Sequence, residues 1–337
     1  MNNVSVYDVV GIGNAIVDVL AKVSDDFLID RGIVKGSMVL LDAKKAADLY
    51  KEIDPERTCS GGSVANTVAG IASLGGTPSY IGKVHNDELG MEFKRDIGAA
   101  GVDFYSPMLN EGPSTARCIV LVTPDAERTM LTYLGACTKL TEDDIDEKLI
   151  QNAKVVYLEG YLWDEEYAKK AMIKACELAH KYDKKVAFTL SDSFCVDRHR
   201  KEFKELIENH VDVLFANDEE IKSLYEEEDF YKAIDMVKED CEVSAITRNL
   251  KGSVVVSGKV KTFVESELVE YPVDTTGAGD LYAAGFLAGY TSGEDLGTCA
   301  LMGGITAAEI ITHYGARPEV SLRGLVRNKL KEYKSVA

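Results

Sequence analysis

An acidic side chain follows a glycine-rich turn in the last quarter of the chain. The stretch Asp274–Tyr290 reads DTTGAGDLYAAGFLAGY, in which Asp280 directly follows three small residues, Gly277, Ala278 and Gly279. The apolar run after Asp280 is typical of a packed helix, and the N–H groups and positive dipole end at a helix start bind anions such as phosphate. We therefore predict an anion hole in this turn, with Asp280 beside it to accept the proton of an attacking hydroxyl.

A helix cap is the alternative role for Asp280, because aspartate is common near helix N-termini. Short glycine-rich turns also occur in many proteins that bind no phosphate. Both roles stay open on this stretch alone. In either role, the positive end of the helix is expected to lower the pKa of Asp280 and make it a weak base.

A second glycine pair precedes another helix-like stretch, CSGGSVANTVAGIASLGG at residues 59–76. The pair ends at Gly62 and permits close approach of the backbone to a ligand. Ser63 and Asn66 can reach hydroxyl groups from one face of the helix, which suits a polyol. An N-cap at Ser60 or Ser63 would explain the serine, but it leaves the glycine pair and Asn66 unexplained.

The remaining sequence predicts the elements that position these two turns. Short apolar, β-branched runs alternate with helical stretches, which indicates an α/β fold with a mostly parallel sheet and helices on both faces. Residues 17–43 and 115–135 break this alternation with strand-like patterns, and TPDAER at residues 123–128 supplies a hairpin turn. We predict that these two segments form a small antiparallel β-sheet, a lid, on a single domain spanning residues 1–337.

Composition favours a small-molecule partner. Hydrophobic residues make up 46% of the chain, enough for a large core, and the net charge of −18 opposes binding to nucleic acid or to anionic membranes. No apolar run approaches the ~20 residues of a membrane span, and the N-terminus lacks the features of a signal peptide. The seven cysteines are scattered without a C-x-x-C pair, so we expect free thiols and a cytoplasmic location. The sequence leaves open whether the protein is a monomer or a homodimer.

The two glycine-rich stretches, in this order, closely resemble the paired signatures of the ribokinase-like (PfkB) carbohydrate and nucleoside kinases. Those signatures are G-G-x-x-x-N early and D-T-x-G-A-G-D late in the chain. Between them lie two further family motifs, N-x-x-E at Asn217–Glu220 and a nucleotide-contacting strand and turn at Thr247 and Gly252. The resemblance covers nearly the whole chain. It implies an alcohol phosphotransferase that uses ATP, built on a helix-flanked sheet with a lid over the substrate.

The resemblance also assigns roles in phosphoryl transfer. It implies that Asp280 is the general base, and that the turn at Gly277, Ala278 and Gly279 holds the developing charge. The residues implied to bind ATP are Asn217, Thr247, Gly252, Gly277 and Gly279.

The resemblance also implies cations at the site, with Mg²⁺ on the phosphates of ATP. Asn217 and Glu220 are expected to act on the water shell of Mg²⁺, because this ion retains several waters. Arg128, on the suspected lid, is a candidate cation near the phosphates, with a surface ion pair as its alternative role. Asp274 and Thr276 are a candidate site for a monovalent cation, K⁺, as in some relatives.

The N-terminal motif GIGNAIVD, at residues 11–18, is similar to the start of adenosine kinases, a branch of this family. The similarity implies that Asn14 and Asp18 lie at the nucleoside site, where Asp18 would accept hydrogen bonds from the ribose hydroxyls. The alternative is that Asp18 is a solvent-exposed strand residue with no role in binding. Gly62, Ser63 and Asn66 complete the predicted acceptor site.

A flat base is the second feature expected of the acceptor. Residues 188–194 read FTLSDSF, closer to L-S-x-x-F of adenosine kinases than to D-x-N of many sugar kinases. Phe194 and Leu134 are candidates to enclose the base, with ordinary core packing as the alternative. We therefore expect transfer of phosphate from ATP to the 5′-hydroxyl of adenosine, giving AMP. A ribokinase- or fructokinase-like sugar kinase is the alternative.

Other classes of protein fit less well. A Rossmann dehydrogenase would need glycine at position 16 of G-x-G-x-x-G, where this chain has Ile16. No G-x-x-x-x-G-K-[ST] stretch occurs, which excludes a P-loop as the ATP site. A non-catalytic nucleoside-binding regulator would be free to lose Asp280, which this chain retains.

Overall fold

Two sheets and their surrounding helices make up the computed structural model, which describes residues 6–125 and 127–336. The strands, in chain order, are β1 (Tyr7–Ile12), β2 (Ile16–Lys22), β3 (Met38–Leu40), β4 (Arg57–Gly61), β5 (Pro78–Ile81), β6 (Asp103–Phe104), β7 (Ala116–Val122), β8 (Arg128–Tyr133), β9 (Ala153–Glu159), β10 (Lys185–Thr189), β11 (Val213–Asn217), β12 (Val243–Thr247), β13 (Ser253–Ser257) and β14 (Val260–Val264).

The α-helices are α1 (Asp25–Asp30), α2 (Ala43–Glu52), α3 (Ser63–Ser73), α4 (Glu88–Ala99), α5 (Glu147–Gln151), α6 (Glu166–Lys181), α7 (Ser193–His210), α8 (Asp218–Tyr225), α9 (Phe230–Asp240), α10 (Ala278–Ser292), α11 (Leu296–Ile310) and α12 (Leu322–Val336). Short 3₁₀ turns add Gly135–Lys139, Glu142–Asp144, Gly160–Asp164 and Asn249–Lys251. Within the described ranges, no helix combines the length and the apolar character that crossing a membrane requires.

The large sheet has the order β14-β13-β12-β11-β10-β9-β1-β5-β6, and all its strand pairs are parallel except β12–β13 and β13–β14. Successive side chains of one strand point to opposite faces, so Val9 and Val10 of β1 pack into two separate cores. Helices α3, α4, α10 and α11 cover one face, and α6 to α9 cover the other. The predicted α/β class, with helices on both faces of a mostly parallel sheet, is confirmed.

The small sheet has the order β3-β8-β7-β2-β4 and contains the strands predicted in residues 17–43 and 115–135. The hairpin between β7 and β8 is confirmed, although residue 126 lies outside the described residues. The prediction of an antiparallel sheet was wrong, because β2 pairs with β7, and β3 with β8, in parallel. β2 and β7 are far apart in sequence, so no hairpin turn fixes their direction.

Two elements of the lid region were not anticipated. Helix α1 interrupts residues 17–43, where Ser24 caps its first turn. Strand β4 joins the small sheet as an edge strand beside β2. Its sequence, RTCSG, has little of the β-branched or aromatic content that marks a strand, so only pairing with β2 reveals it. Because β4 leads directly into α3, the lid sheet is continuous with the second glycine-rich turn.

Close packing of α3 against α10 brings the two glycine-rich turns together. A Cβ atom at Gly70 of α3 would lie 2.7 Å from Ala284 and Leu281 of α10, so glycine is required for this approach. Gly285 of α10 and Gly303 of α11 permit a similarly close contact on the other side of α10. The small residues that follow Asp280 therefore serve the packing that fixes its position.

Candidate active site

Asp280 reaches across from α10 to the first turns of α3. Its Oδ1 accepts a hydrogen bond of 2.6 Å from the Ser63 hydroxyl, and its Oδ2 accepts one of 2.9 Å from Asn66 Nδ2. The N-cap of α10 is Gly277, which makes no side-chain capping bond. Asp280 is therefore not a helix cap, and its carboxylate is held by the second glycine-rich stretch.

The serines of that stretch are not helix caps either. The N-cap of α3 is Gly62, which has no side-chain hydrogen bond to the helix, while Ser63 donates to Asp280. Gly62 has φ of 101°, and a Cβ atom there would lie 2.1 Å from the carbonyl oxygen of Asn14. Glycine is thus required at this turn by both conformation and space.

Burial raises the pKa of Asp280, although hydrogen bonds from Ser63 and Asn66 and the charge of Arg317 oppose that rise. The expectation that the helix dipole would lower this pKa was wrong. Removing a carboxylate from water disfavours its charged form, and this effect exceeds the stabilisation by its neighbours. The carboxylate is therefore a stronger base than expected.

The turn before Asp280 has the backbone geometry of the predicted anion hole. Gly277 has φ of 80°, and a Cβ atom there would lie 2.6 Å from the Cβ of Ala316. Nothing would obstruct a Cβ atom at Gly279, so the turn is open on that side. The Ala278 N–H donates to the Thr275 carbonyl oxygen at 3.2 Å, whereas the first turn of a helix leaves the next N–H groups without helical partners. Phosphate binding at this turn stays a prediction.

Asp18 lies on β2 between two cysteines, opposite Cys59 of β4 and Cys118 of β7. A Cβ atom at Gly61 would lie 2.3 Å from Asp18 Oδ2, so this glycine makes room for the carboxylate. Burial raises the pKa of Asp18 to about 6, while the charges of Arg317 and Arg128 lower it. Asp18 is therefore a shielded, half-buried acceptor and not an exposed strand aspartate.

Glu159, at the end of β9, is a buried carboxylate that sequence reasoning missed. Its Oε1 accepts from the backbone N–H of Asn14 at 2.8 Å, and its Oε2 accepts from that of Val64 at 2.9 Å. Burial raises its pKa to about 7, against the effect of these hydrogen bonds. Glu159 thus ties the turn after β1 to the start of α3. An acid directly after the apolar run VVYL, residues 155–158, was the available signal.

Two of the residues expected to bind ATP, Asn217 and Thr247, pair at the ends of β11 and β12. The Asn217 side chain accepts from Glu220 N–H at 2.9 Å, and its backbone N–H and Nδ2 donate to Glu220. These bonds form a capping box at the start of α8. Gly252 has φ of 77°, and a Cβ atom there would lie 2.0 Å from the Val264 carbonyl oxygen, so the fold alone requires this glycine.

Arg128 connects the lid to the segment before α10. Its Nη1 donates to Asp274 Oδ2 and, at 2.7 Å, to the Thr276 hydroxyl. The Arg128 side chain is 14% exposed, so the alternative of a surface ion pair was wrong. Asp274 also accepts from the N–H groups of Thr276 and Gly315. Both of its oxygens therefore have partners, and the K⁺ site stays a prediction.

The two residues expected around a base lie in different surroundings. Phe194, in the first turn of α7, is 73% exposed, which excludes ordinary core packing for its ring. Leu134 is half-buried and precedes the 3₁₀ turn that begins at Gly135. Stacking of a base on either side chain stays a prediction.

A cavity of about 490 Å³ lies between the lid and the body. Asp18 and Arg128 of the lid line it, and Thr276 and Arg317 of the body face them. This volume falls in the range of small-molecule sites. The cavity thus connects the predicted acceptor carboxylate to the segment that leads into the anion-hole turn.

Comparison with known proteins gives a consistent picture. The sequence model described as pfkB family carbohydrate kinase matches residues 41–322. The crystal structure of an adenosine kinase from Sinorhizobium meliloti is 49% identical, with a TM-score of 0.88 over 96% of this chain and 99% of that one. A probable sugar kinase from Rhizobium etli is 43% identical, with a TM-score of 0.89 over the same shares. An ATP-dependent ribose-1-phosphate kinase from Halopiger xanaduensis is 30% identical over 76% of this chain and 81% of its own length.

Proposed function

This chain belongs to the pfkB family of carbohydrate kinases, and from that premise we propose that it transfers a phosphoryl group from ATP to the 5′-hydroxyl of adenosine. The observation that carries the proposal is the carboxylate of Asp280, held by Ser63 and Asn66 at the start of α10. The 49% identity to the adenosine kinase of Sinorhizobium meliloti supports a nucleoside as the acceptor. The similarity to a probable sugar kinase makes a free sugar the second candidate.

In the proposed reaction, the 5′-oxygen of the acceptor attacks the γ-phosphorus of ATP, and the bond from that phosphorus to the bridging oxygen of ADP breaks. Asp280 takes the proton from the attacking hydroxyl as the new bond forms. Ser63 and Asn66 keep the carboxylate directed at the acceptor, and N–H groups of the turn at Gly279 stabilise the charge on the transferred group. The products are AMP and ADP.

Mg²⁺ would neutralise charge on the phosphates of ATP when bound. No group of three or more His, Cys, Asp or Glu side chains in the described ranges is arranged to hold a metal ion. The oxygen donors of Asn217 and Glu220 fit a Mg²⁺ ion through its waters, since this ion retains several of them and binds phosphate oxygens. Burial raises the pKa of Glu220 to about 7, against the effect of the hydrogen bond from the Asn217 backbone.

Acceptor preference tests the nucleoside assignment. We expect kcat/KM with ATP and Mg²⁺ to be higher for adenosine than for ribose, fructose or inosine. Stacking of the base on Phe194 and Leu134 should contribute on the order of 1–3 kcal/mol, or roughly 5- to 150-fold over a base-free sugar. Steady-state kinetics on this panel gives the comparison directly.

Two variants locate the source of that preference. Phe194→Ala should narrow the difference between adenosine and ribose. Tyr105→Ala, at an equally exposed aromatic residue after edge strand β6, should leave it unchanged. Faster phosphorylation of a free sugar than of adenosine would replace the assignment with a sugar kinase. Tight adenosine binding without any turnover would favour the non-catalytic regulator.

Closure of the lid is a further expectation, because the lid and the body meet at the cavity lined by Asp18 and Arg128. Adding adenosine should slow amide hydrogen exchange in residues 17–43 and 115–135, while β1 changes little. Hydrogen-exchange mass spectrometry with and without adenosine measures this. Uniform protection of the whole chain, or no protection in these two segments, would contradict a closing lid.

A cytoplasmic location is part of the proposal. All seven cysteines are free. Free thiols are typical of proteins in reducing compartments, where disulfides do not persist.

A further inference from the structure

Arg317, in the loop between α11 and α12, belongs to a hydrogen-bond network that links β4, α3 and α4 near the glycine pair. Its Nη1 donates to the Ala65 carbonyl oxygen at 2.8 Å, and its Nη2 donates to the Ser60 carbonyl oxygen at 2.6 Å and to Ser60 Oγ at 2.8 Å. The N–H and hydroxyl groups of Ser60 in turn donate to Asp96 of α4. One guanidinium thus joins β4 of the lid sheet to α3 of the body.

The same guanidinium is the cation common to both carboxylates of the proposed site. Burial raises the pKa of Asp18 and of Asp280, and in each case the charge of Arg317 opposes that rise. Arg128 also acts on Asp18, but it is already paired with Asp274. Arginine suits this place because it remains charged when buried.

We propose that Arg317 is a positioning residue for the acceptor: it fixes the turn at Ser60–Gly62 and supplies the positive charge beside Asp18 and Asp280. The inference rests on the proposed function, since it assigns these carboxylates to the acceptor and to proton transfer. Arg317 itself needs no contact with the acceptor. Its three hydrogen bonds hold the backbone from which Gly62, Ser63 and Asn66 extend, and its charge favours the ionised form of both acids.

Several other groups also act on these two carboxylates. Asp280 faces the donors Ser63 and Asn66, and it interacts with Asp18, Glu159 and the phenols of Tyr157 and Tyr161. Asp18 faces Arg128 and the thiols of Cys59 and Cys118. Arg317 faces Cys59, Asp96, Asp18 and Asp280. Arg128 is thus a second cation acting on Asp18.

Arg317→Gln should raise the KM of the acceptor about tenfold, with little change in the KM of ATP, because a shifted turn misplaces the acceptor. Loss of the positive charge raises the pKa of carboxylates that must be ionised. In a plot of kcat/KM against pH, the fall in activity on the acid side (the acid limb) should therefore move to higher pH by about one unit. Arg317→Lys retains the charge but not the set of hydrogen bonds, so its KM should rise while its acid limb stays near that of the wild type.

The controls separate positioning from folding and from the choice of acceptor. Arg95→Gln removes an exposed arginine of α4 and should leave KM, acid limb and melting temperature unchanged. Every assay uses whichever acceptor the wild type phosphorylates fastest, so a wrong adenosine assignment leaves this test intact. A folded Arg317→Gln variant with wild-type KM and acid limb would overturn the proposal. So would a lowered melting temperature with an unmoved acid limb, which would make Arg317 purely structural.

Discussion

Replacing Asp280 with asparagine is expected to lower kcat by about 10²-fold or more, with little change in ATP affinity. The carboxylate is held by Ser63 and Asn66 and is the group that the proposed reaction uses to remove a proton. An amide of the same shape cannot take that proton. Turnover measured beside nucleotide binding by calorimetry separates the chemical step from ATP affinity.

Asp280→Asn should not lose activity by unfolding. The substitution removes a half-buried negative charge, and the new amide oxygen can still accept from Ser63. The new NH2 group can donate to Asn66 Oδ1, which has no other partner among the described residues, once the Asn66 amide rotates. Its melting temperature should therefore equal or exceed that of the wild type. Asp143→Asn, at an exposed position, is the matched control and should keep full activity. Near-normal turnover of Asp280→Asn would remove this residue from the chemistry.

Asp18→Ala is expected to lower kcat/KM for the acceptor by about 10²-fold, mainly through KM. Hydrogen bonds to a charged acceptor contribute ~1.5–3 kcal/mol, and a factor of ten corresponds to about 1.4 kcal/mol. Gly61 leaves space for this carboxylate, and Asp18 lines the cavity between the lid and the body. It can thus accept from the acceptor hydroxyls. Asp26→Ala, at an exposed position in the same lid, is the control.

The pH dependence of acceptor binding tests the same carboxylate. Burial raises the pKa of Asp18 to about 6, so the group is ionised above that pH and protonated below it. A protonated carboxyl accepts hydrogen bonds less well, and the acceptor KM should rise as the pH falls through about 6. Asp18→Asn should have a high KM throughout and lack this titration. A wild-type KM that stays constant from pH 5 to pH 7 in the assay would count against Asp18 as the ribose-binding acid.

Local sequence was sufficient for much of the fold. Short apolar runs alternating with helical stretches predict the mostly parallel sheet, because strand and helix periodicities are properties of consecutive residues. The two glycine-rich turns were also evident, since a backbone with φ of 101° at Gly62 or 80° at Gly277 favours glycine whatever lies nearby. The sequence could also identify candidate site residues next to these turns, because Asp280, Ser63 and Asn66 each lie within a few residues of one of them.

Only the tertiary structure decided how these parts act on one another. The Arg128–Asp274 pair, the bonds of Glu159 to Asn14 and Val64, and the bonds of Arg317 to Ser60 all join residues distant in sequence. No local pattern marks such partners, because packing of whole elements determines which side chains meet. The raised pKa of Asp280 has the same origin. Sequence placed this acid at a positive helix end, but the burial that results from packing α3 against α10 decides the direction of its pKa shift.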